Sequence, residues 1–581
     1  MAKTPRRYWA FGLLLIFPAL AQEAPERASG WTPKTIVHTK RDMVVAAHPL
    51  AVDAGVEMLR AGGTATDAAI AVQLVLNIVE PQSSGIGGGA FMLHYAATRK
   101  HLETYDGRET APMAASEELL MENGRPRSFA ARVGGRAVGA PGVMRMMERA
   151  HRDHGKLDWE KLFAPAIKIA DEGFAISPRL FSALQGDAIE KREPTITSQR
   201  GEAAALFFNA DATPKAVGTI IKNPRFAATL RTLARDGADA FYEGALAREI
   251  IAAVKNHPTN PGLLDEADLR SYQPKKRAPL CVWYREQSKI CTMGAPSSAA
   301  AVLMSLGMLE QFEIGKMSPE SGEATHLIAE SFRLAYADRT HYIADTDFVR
   351  VPMAGLLDKA YLKSRAALIN PQRSMGAAKP GVPAGAAVTG GDRSADAPGT
   401  THFSIVDEAG NVVSMTSSIE GGFGSKQMVA GFLLNNQLTD FSFSPKQNGA
   451  PAANRVEPGK RPRSAMSPVI VFDRAGDFVL VVGSPGGPQI IQYVTKTIIG
   501  VLDWKLNVQD AVSLGHFGTQ ADATTYLERG RHPDGLAKAL ATRGHLIGLV
   551  DFNSGLHAIA RTAQGLAGGA DPRREGVAKG R

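Results

Sequence analysis

The 581-residue chain lacks several features that would place it quickly, and each shortage removes a reading. Cysteine is nearly absent. Cys281 and Cys291 stand without a histidine close by, so thiolate metal sites and disulfide-dense scaffolds lack their raw material. Long apolar runs are missing too: the stretch from Trp9 to Leu20 is broken by Pro18 and falls short of the ~20 residues of a membrane span. No block of Lys and Arg interleaves with aromatics. The net charge of +8 is scattered among 58 acidic residues, so no nucleic-acid partner is expected. Catalytic signatures are also missing. Val482-Gly483-Ser484-Pro485-Gly486 lacks the first glycine of a serine-hydrolase elbow, and His151-Arg152-Asp153-His154 lacks the glutamate of a zinc-protease helix. Gly85 to Ala90 imitates a dinucleotide loop but follows a helix and precedes a strand, the wrong order for one. Neither a metal nor a cofactor is indicated.

What is present starts with an export signal. Lys3, Arg6 and Arg7 precede the short apolar stretch, and Ala19-Leu20-Ala21 offers small residues for a peptidase, with Gln22 as the mature start. Residues 1–21 read as a signal peptide and the protein as periplasmic or secreted; a retained N-terminal anchor is the competing reading. At 44% hydrophobic and 21% charged, the remainder can build a large core. The cysteines flank a hairpin turning near Arg285-Glu286. A turn centred on Glu286 sets them opposite each other, close enough to bridge if their side chains face correctly.

Met43 to Ala47 reads as a strand, Ala51 to Arg60 as a helix stopped by Gly62-Gly63, and Thr66 to Val79 as a more apolar helix, buried on most sides and ended by Pro81. A strand from Ala90 to Tyr95 follows the glycine-rich turn, and residues 140–369 are mostly helical. Ser374 to Gly399, rich in Gly, Ala and Pro, reads as a flexible passage able to form neither helix nor core strand. Then the period changes to two: Thr400 to Val406 and Val412 to Ser418 form a hairpin. Phe441 to Arg463 is a loop, strands recur at 469–472 and 478–482, and a helix spans 489–502. A flexible passage running straight into Gly-Thr-Thr invites a chemical explanation.

Gly399-Thr400-Thr401-His402-Phe403-Ser404, Asn435-Asn436-Gln437-Leu438-Thr439-Asp440, Arg461-Pro462-Arg463-Ser464-Ala465-Met466-Ser467-Pro468 and Gly483-Ser484-Pro485-Gly486-Gly487 resemble motifs of the γ-glutamyltransferase family, in that family's order. Gly85 to Leu93, Asp106 to Pro112 and Ala295 to Ser298 agree with it as well. The resemblance runs from about Val37 to Arg573. It implies an α/β fold, the four-layer αββα sandwich of the N-terminal nucleophile hydrolases. It also implies a precursor that cuts itself between Gly399 and Thr400, giving a large subunit (22–399) and a small one (400–581). A threonine hydroxyl needs an adjacent base, and the cut creates an α-amino group of pKa near 8 on the same residue.

By the same resemblance Thr400 is the nucleophile, Ser418 keeps the hydroxyl bonded to it, and Gly486 and Gly487 form the oxyanion hole. Arg108 and Ser464 meet the carboxylate of a γ-glutamyl donor; Gln437, Asp440 and Glu420 lie at its amino group. Water or an amino-acid or peptide acceptor completes the reaction. The chain departs from the family at Ala465, which replaces a second serine, and at Glu420, where asparagine is common. The segment Phe441 to Lys460 looks too short to cover the pocket. Glutaryl-type acylases of the same family are the alternative activity, and a non-catalytic periplasmic binding protein the alternative from a different class.

Overall fold

The computed structural model describes residues 30–581 apart from 128, 192, 388, 393 and 395–398, so the expected signal peptide lies outside the described residues. The elements that frame the site begin with β1 (Val37–Thr39), β2 (Met43–Ala46), α1 (Pro49–Arg60), α2 (Ala65–Val79), β3 (Gly89–Ala96), β4 (His101–Asp106), β5 (Lys275–Arg277), β6 (Leu280–Tyr284) and β7 (Ser288–Thr292). They continue with α3 (Ala300–Leu309), α4 (Gly322–Tyr342), β8 (Gly399–Val406), β9 (Val412–Glu420), β10 (Val469–Phe472), β11 (Phe478–Gly483), α5 (Ile490–Leu502), β12 (His557–Thr562), β13 (Gly565–Ala570) and β14 (Val577–Gly580).

Two seven-stranded sheets result. One runs β14-β2-β8-β9-β3-β4-β5 and the other β1-β13-β12-β11-β10-β7-β6, every pairing antiparallel. Helices α1 and α2 cover the outer face of the first sheet, and α3 and α5 that of the second, with α4 packed on α3. This is the αββα sandwich. Alternation along the strands feeds two cores. Val44, Ala46, Phe403, Ile405 and Met415 pack against α1 and α2. Met43, Val45, Phe91 and Val406 turn the other way, into one core with Leu480, Val482 and Ile559 of the second sheet. All four residues of β2 are buried, as a strand covered on both faces requires.

The helix starts lie slightly upstream of the sequence expectation. His48 caps α1, and Thr64 with Asp67 forms a capping box on α2, whose 15 residues are all buried. The glycine-rich turn before β3 serves close packing. A Cβ on Gly88 would lie 2.2 Å from the Ser418 carbonyl oxygen, so only glycine lets this turn reach β9. Cys281 pairs directly with Cys291 across β6 and β7, and the two form a disulfide.

One expectation changes. The described residues of 374–394 carry neither helix nor strand, yet the passage is anchored rather than loose: Met375 N–H donates to Glu330, Gly381 N–H to Asp338, and Gly390 N–H to the Pro451 carbonyl. Each sheet draws strands from both sides of Gly399, because the long connections return the chain to pair with strands laid down earlier.

Candidate active site

Thr400 stands second in β8, directly opposite Ser418 on β9, and the register shifts between Gly399 and Thr400. Thr400 Oγ1 donates to Ser418 Oγ at 3.3 Å, and Ser418 Oγ donates to the Gly399 carbonyl at 2.6 Å. The Glu420 N–H also donates to Ser418 Oγ, at 2.8 Å, fixing the hydroxyl. One serine therefore bridges the threonine hydroxyl and the carbonyl of the peptide bond before it. The two side chains face the second sheet at the end of the sandwich, where the strands stop and a cavity begins.

That cavity is lined by Thr400, Ser418, Glu420, Gln437, Asp440, Ser464, Ala465, Met466, Gly487 and Ile490. Seven of the residues expected from sequence thus meet in one place, although they are spread over 88 positions from Thr400 to Gly487. Gln437 and Asp440 share a one-turn 3-10 helix, where Gln437 Nε2 donates to Asp440 Oδ2 at 2.7 Å. Ser464 is held by a bridge to Ser297, and its Oγ accepts from the Met466 N–H. Glu420 adopts a left-handed backbone conformation, φ 79°, as the chain leaves β9.

Arg108 does not line the cavity. It is fully buried behind Asp440, its Nη2 bonding that carboxylate and the Arg463 carbonyl, its Nε the Pro462 carbonyl. Its Nη1 has no hydrogen-bond partner and lies 3.6 Å from Glu109. Burial pushes the Glu109 carboxyl up to about 8 despite that arginine, so at neutral pH the charge of Arg108 is answered mainly by Asp440. In this uncut chain the guanidinium fork is engaged by the protein itself.

Gly486 and Gly487 have φ of 130° and 56°, and a Cβ on Gly486 would lie 2.6 Å from the Tyr493 ring. They lead through a 3-10 turn into α5, whose first residue, Ile490, lines the cavity. The positive end of a 13-residue helix therefore points toward the site.

Sequence reasoning missed the support beneath the strand that carries Thr400. Thr401 Oγ1 donates to Glu80 Oε2 at 3.1 Å, on the face opposite Thr400, and Arg179 Nε meets Glu80 Oε1 at 2.8 Å. Arg574 Nη1 reaches the Thr400 carbonyl at 3.5 Å. Burial would raise the Glu80 carboxyl, but the guanidinium groups of Arg179 and Arg574 reverse this and hold it below the usual range. A glutamate capping the end of a largely apolar helix was the one signal available.

The expected open pocket is not what the uncut chain has. Thr400 is only 3% exposed, and the cavity is about 20 Å³, room for roughly one water. The reason is that 441–463 does not cover the site alone: its short hairpin, Lys446–Gln447 against Ala450–Pro451, meets Gly390 of the preceding passage, and Asn454 bonds Asp392. Two groups among the described residues could in principle hold a metal, His94 with Glu103 and His154, and His326 with Glu330 and His545; neither lines the cavity.

An αββα sandwich with a threonine at the head of a central strand defines the class, that of the N-terminal nucleophile hydrolases. The sequence model of the gamma-glutamyltranspeptidase family matches residues 51–581, and the chain belongs to that family of enzymes. It is 36% identical over 548 residues to the glutathione hydrolase proenzyme of Bacillus subtilis (strain 168), covering 92% of this chain and 89% of the relative. It is 33% identical over 541 residues to the acylase ACY 1 proenzyme of Pseudomonas sp. (strain SE83), covering 91% of each. Among solved structures, cephalosporin acylase from Bacillus halodurans superposes with a TM-score of 0.83 at 26% identity, covering 95% of this chain and 97% of that one. The gamma-glutamyltranspeptidase of Helicobacter pylori gives 0.55 at 31% identity, covering 59% of this chain and 95% of that one.

Proposed function

We propose that this protein is a self-activating γ-glutamyl hydrolase and transferase that cuts itself between Gly399 and Thr400. The observation that carries the reading is the Thr400–Ser418–Gly399 arrangement. Thr400 Oγ1 attacks the Gly399 carbonyl carbon while Ser418 hydrogen-bonds its oxygen. The C–N bond breaks, the nitrogen takes the hydroxyl proton, and an ester to Oγ1 remains. Water then releases a Gly399 carboxylate and leaves Thr400 with a free hydroxyl and a free α-amine, nucleophile and base on one residue. In the mature enzyme Thr400 Oγ1 attacks the donor's γ-amide carbon, its proton passes through the α-amine to the leaving amine, and the γ-glutamyl ester goes to water or to an acceptor amine. Gly486 and Gly487 present N–H groups to the developing oxyanion, with the N-terminus of α5 behind them.

Glu420 and Asp440 place two carboxylates on the cavity wall, which suits a donor bearing an α-ammonium. That favours γ-glutamyl donors, such as glutathione, over a glutaryl acylase. The acylase reading draws on Ala465, which supplies no hydroxyl to the carboxylate end, and on the acylase relatives. Arg108 reaches the donor carboxylate only if Asp440 releases part of its fork. Export as a periplasmic or secreted protein fits residues 1–21; no described helix is long and apolar enough to cross a membrane. Once 390–394 is displaced, water reaches the ester easily, so hydrolysis outweighs transfer.

N-terminal sequencing of the purified protein tests the cut, with Thr-Thr-His-Phe expected at the start of the smaller fragment. Thr400→Ala should give one uncut, inactive chain on a gel; a cut or active Thr400→Ala protein overturns the reading. A γ-glutamyl anilide should be turned over well ahead of a glutaryl anilide, and the reverse preference selects the acylase.

A further inference from the structure

Arg463 is a buried guanidinium at the edge of the candidate site, and the groups it meets come from a telling place. Its Nη2 lies 2.6 Å from Asp392 Oδ2 and donates to Ser394 Oγ at 2.7 Å. Asp392 and Ser394 both belong to the passage that leads into Gly399–Thr400. The side chains of Asp392 and Arg463 are 1% and 2% exposed, so this ion pair is shut away from water. It also adjoins the cavity wall. Asn454 Nδ2 donates to Asp392 Oδ2 at 3.0 Å and to the Asp440 carbonyl at 2.8 Å, while Ser464, next to Arg463, lines the cavity.

Arg463 is fixed independently of this passage: its N–H donates to Asn454 Oδ1 at 2.9 Å and its carbonyl accepts from Arg108 Nη2 at 2.8 Å. Asp392 stands only seven residues before Gly399. A cut after Gly399 releases one end of its segment, whereas Arg463 stays in place. Departure of Asp392 removes a buried carboxylate from the Arg463 guanidinium and the Asn454 amide, a pair of donors suited to holding another carboxylate.

We propose that Asp392 stands in for a substrate carboxylate. The Arg463–Asn454 site, filled by Asp392 in the uncut chain, takes the carboxylate of the donor's leaving amine, or of an acceptor amine, in the cut enzyme. The ligand class is an amino acid or short peptide bound through its carboxylate while its nitrogen lies at the γ-glutamyl carbonyl. This inference rests on the reading of Gly399–Thr400 as the bond that is cut.

The test compares kcat/KM of the cut enzyme for γ-glutamyl-3-carboxy-4-nitroanilide and for γ-glutamyl-4-nitroanilide, which differ by one carboxylate. Arg463→Gln should lower the ratio of the two at least tenfold, the size expected for a charge-assisted hydrogen bond. An unchanged ratio in cut, active Arg463→Gln overturns the proposal. Failure of the wild-type chain to be cut is seen first on the gel and counts against the parent reading instead. A matching loss of preference for Gly-Gly over Gly-Gly amide extends the site to acceptors; a loss confined to the donor pair assigns it to the leaving amine. Should Arg463→Gln fail to fold, Arg463→Lys, which keeps the buried charge but not the fork, replaces it in the cut enzyme. The ratio should fall there too, and an unchanged ratio in cut, active Arg463→Lys overturns the proposal.

Discussion

The two faces of strand β8 are equally buried and chemically opposite. Toward the second sheet it presents Thr400, His402, Ser404 and Val406; toward α1 and α2 it presents Thr401, Phe403 and Ile405. The first face is mostly polar and satisfies itself locally. His402 bonds Thr416 Oγ1 at 2.9 Å and Ser404 Oγ at 3.1 Å, and Ser404 reaches the His557 carbonyl. The second face is apolar except at Thr401, whose hydroxyl meets the Glu80 carboxylate. The proposed nucleophile thus stands on a face rich in short hydroxyls, and its position is held from behind by a packed core and one ionic cluster. A nucleophile needs both, because a side chain displaced by about 1 Å can lose roughly a hundredfold in rate.

Breaking the reactive face should have the largest effect. Ser418→Ala removes the donor to the Gly399 carbonyl and the hydroxyl beside Thr400. Self-cutting should slow by about 10²–10³, as for loss of one oxyanion donor. A time course of fragment appearance measures this, and Ser418→Thr should restore most of the rate.

The supporting face should fail as stability. Glu80→Gln removes the carboxylate that answers Arg179 and Arg574 in a buried setting, at a cost of about 3–5 kcal/mol by urea unfolding of the uncut Thr400→Ala chain. Ile405→Val, on the same face, trims only a methyl and should cost about 0.5–1.5 kcal/mol. Equal losses in the two variants would remove the distinction between ionic support and packing.

The pH dependence of stability separates the faces more finely. Burial, aided by nearby His557, holds His402 neutral, its pKa well below the usual 6.5. The unfolded chain then binds the proton more readily, so stability is lost as pH falls below about 6.5. Replacing His402 with Gln should flatten that limb by up to about 1.4 kcal/mol per pH unit. Glu80, with its lowered pKa, acts in a lower window. Its contribution is present above about 4.5 and is lost as pH falls through the folded value beneath. Between pH 7 and pH 3, the denaturant midpoint of His402→Gln should therefore part from the parent's below about pH 6.5, whereas the deficit of Glu80→Gln should shrink only below about pH 4.5.

Much of this was legible because local physics leaves local marks. Period-two alternation gave β8 and β9, an apolar stretch closed by Pro81 gave α2, and the symmetric spacing of Cys281 and Cys291 about Glu286 gave a hairpin that the disulfide closes. Thr400, Ser418, Gln437, Asp440, Ser464 and Gly487 were marked as a set by motif order, and they do converge. Arg108 was marked as well, yet motif order could not say that it stands behind Asp440 rather than in the cavity. The sequence by itself thus determined the elements, the hairpin that carries Thr400 and the residues gathered around it. Only the tertiary structure decided that strands from both sides of Gly399 share each sheet, that Glu80 and Arg574 hold the Thr400–Thr401 segment from opposite ends of the chain, and that Asp392 covers Arg463. The physical reason is that each of these pairings joins residues tens to hundreds of positions apart. Burial and charge select such partners only once the sandwich has brought them together, and no local pattern records the choice.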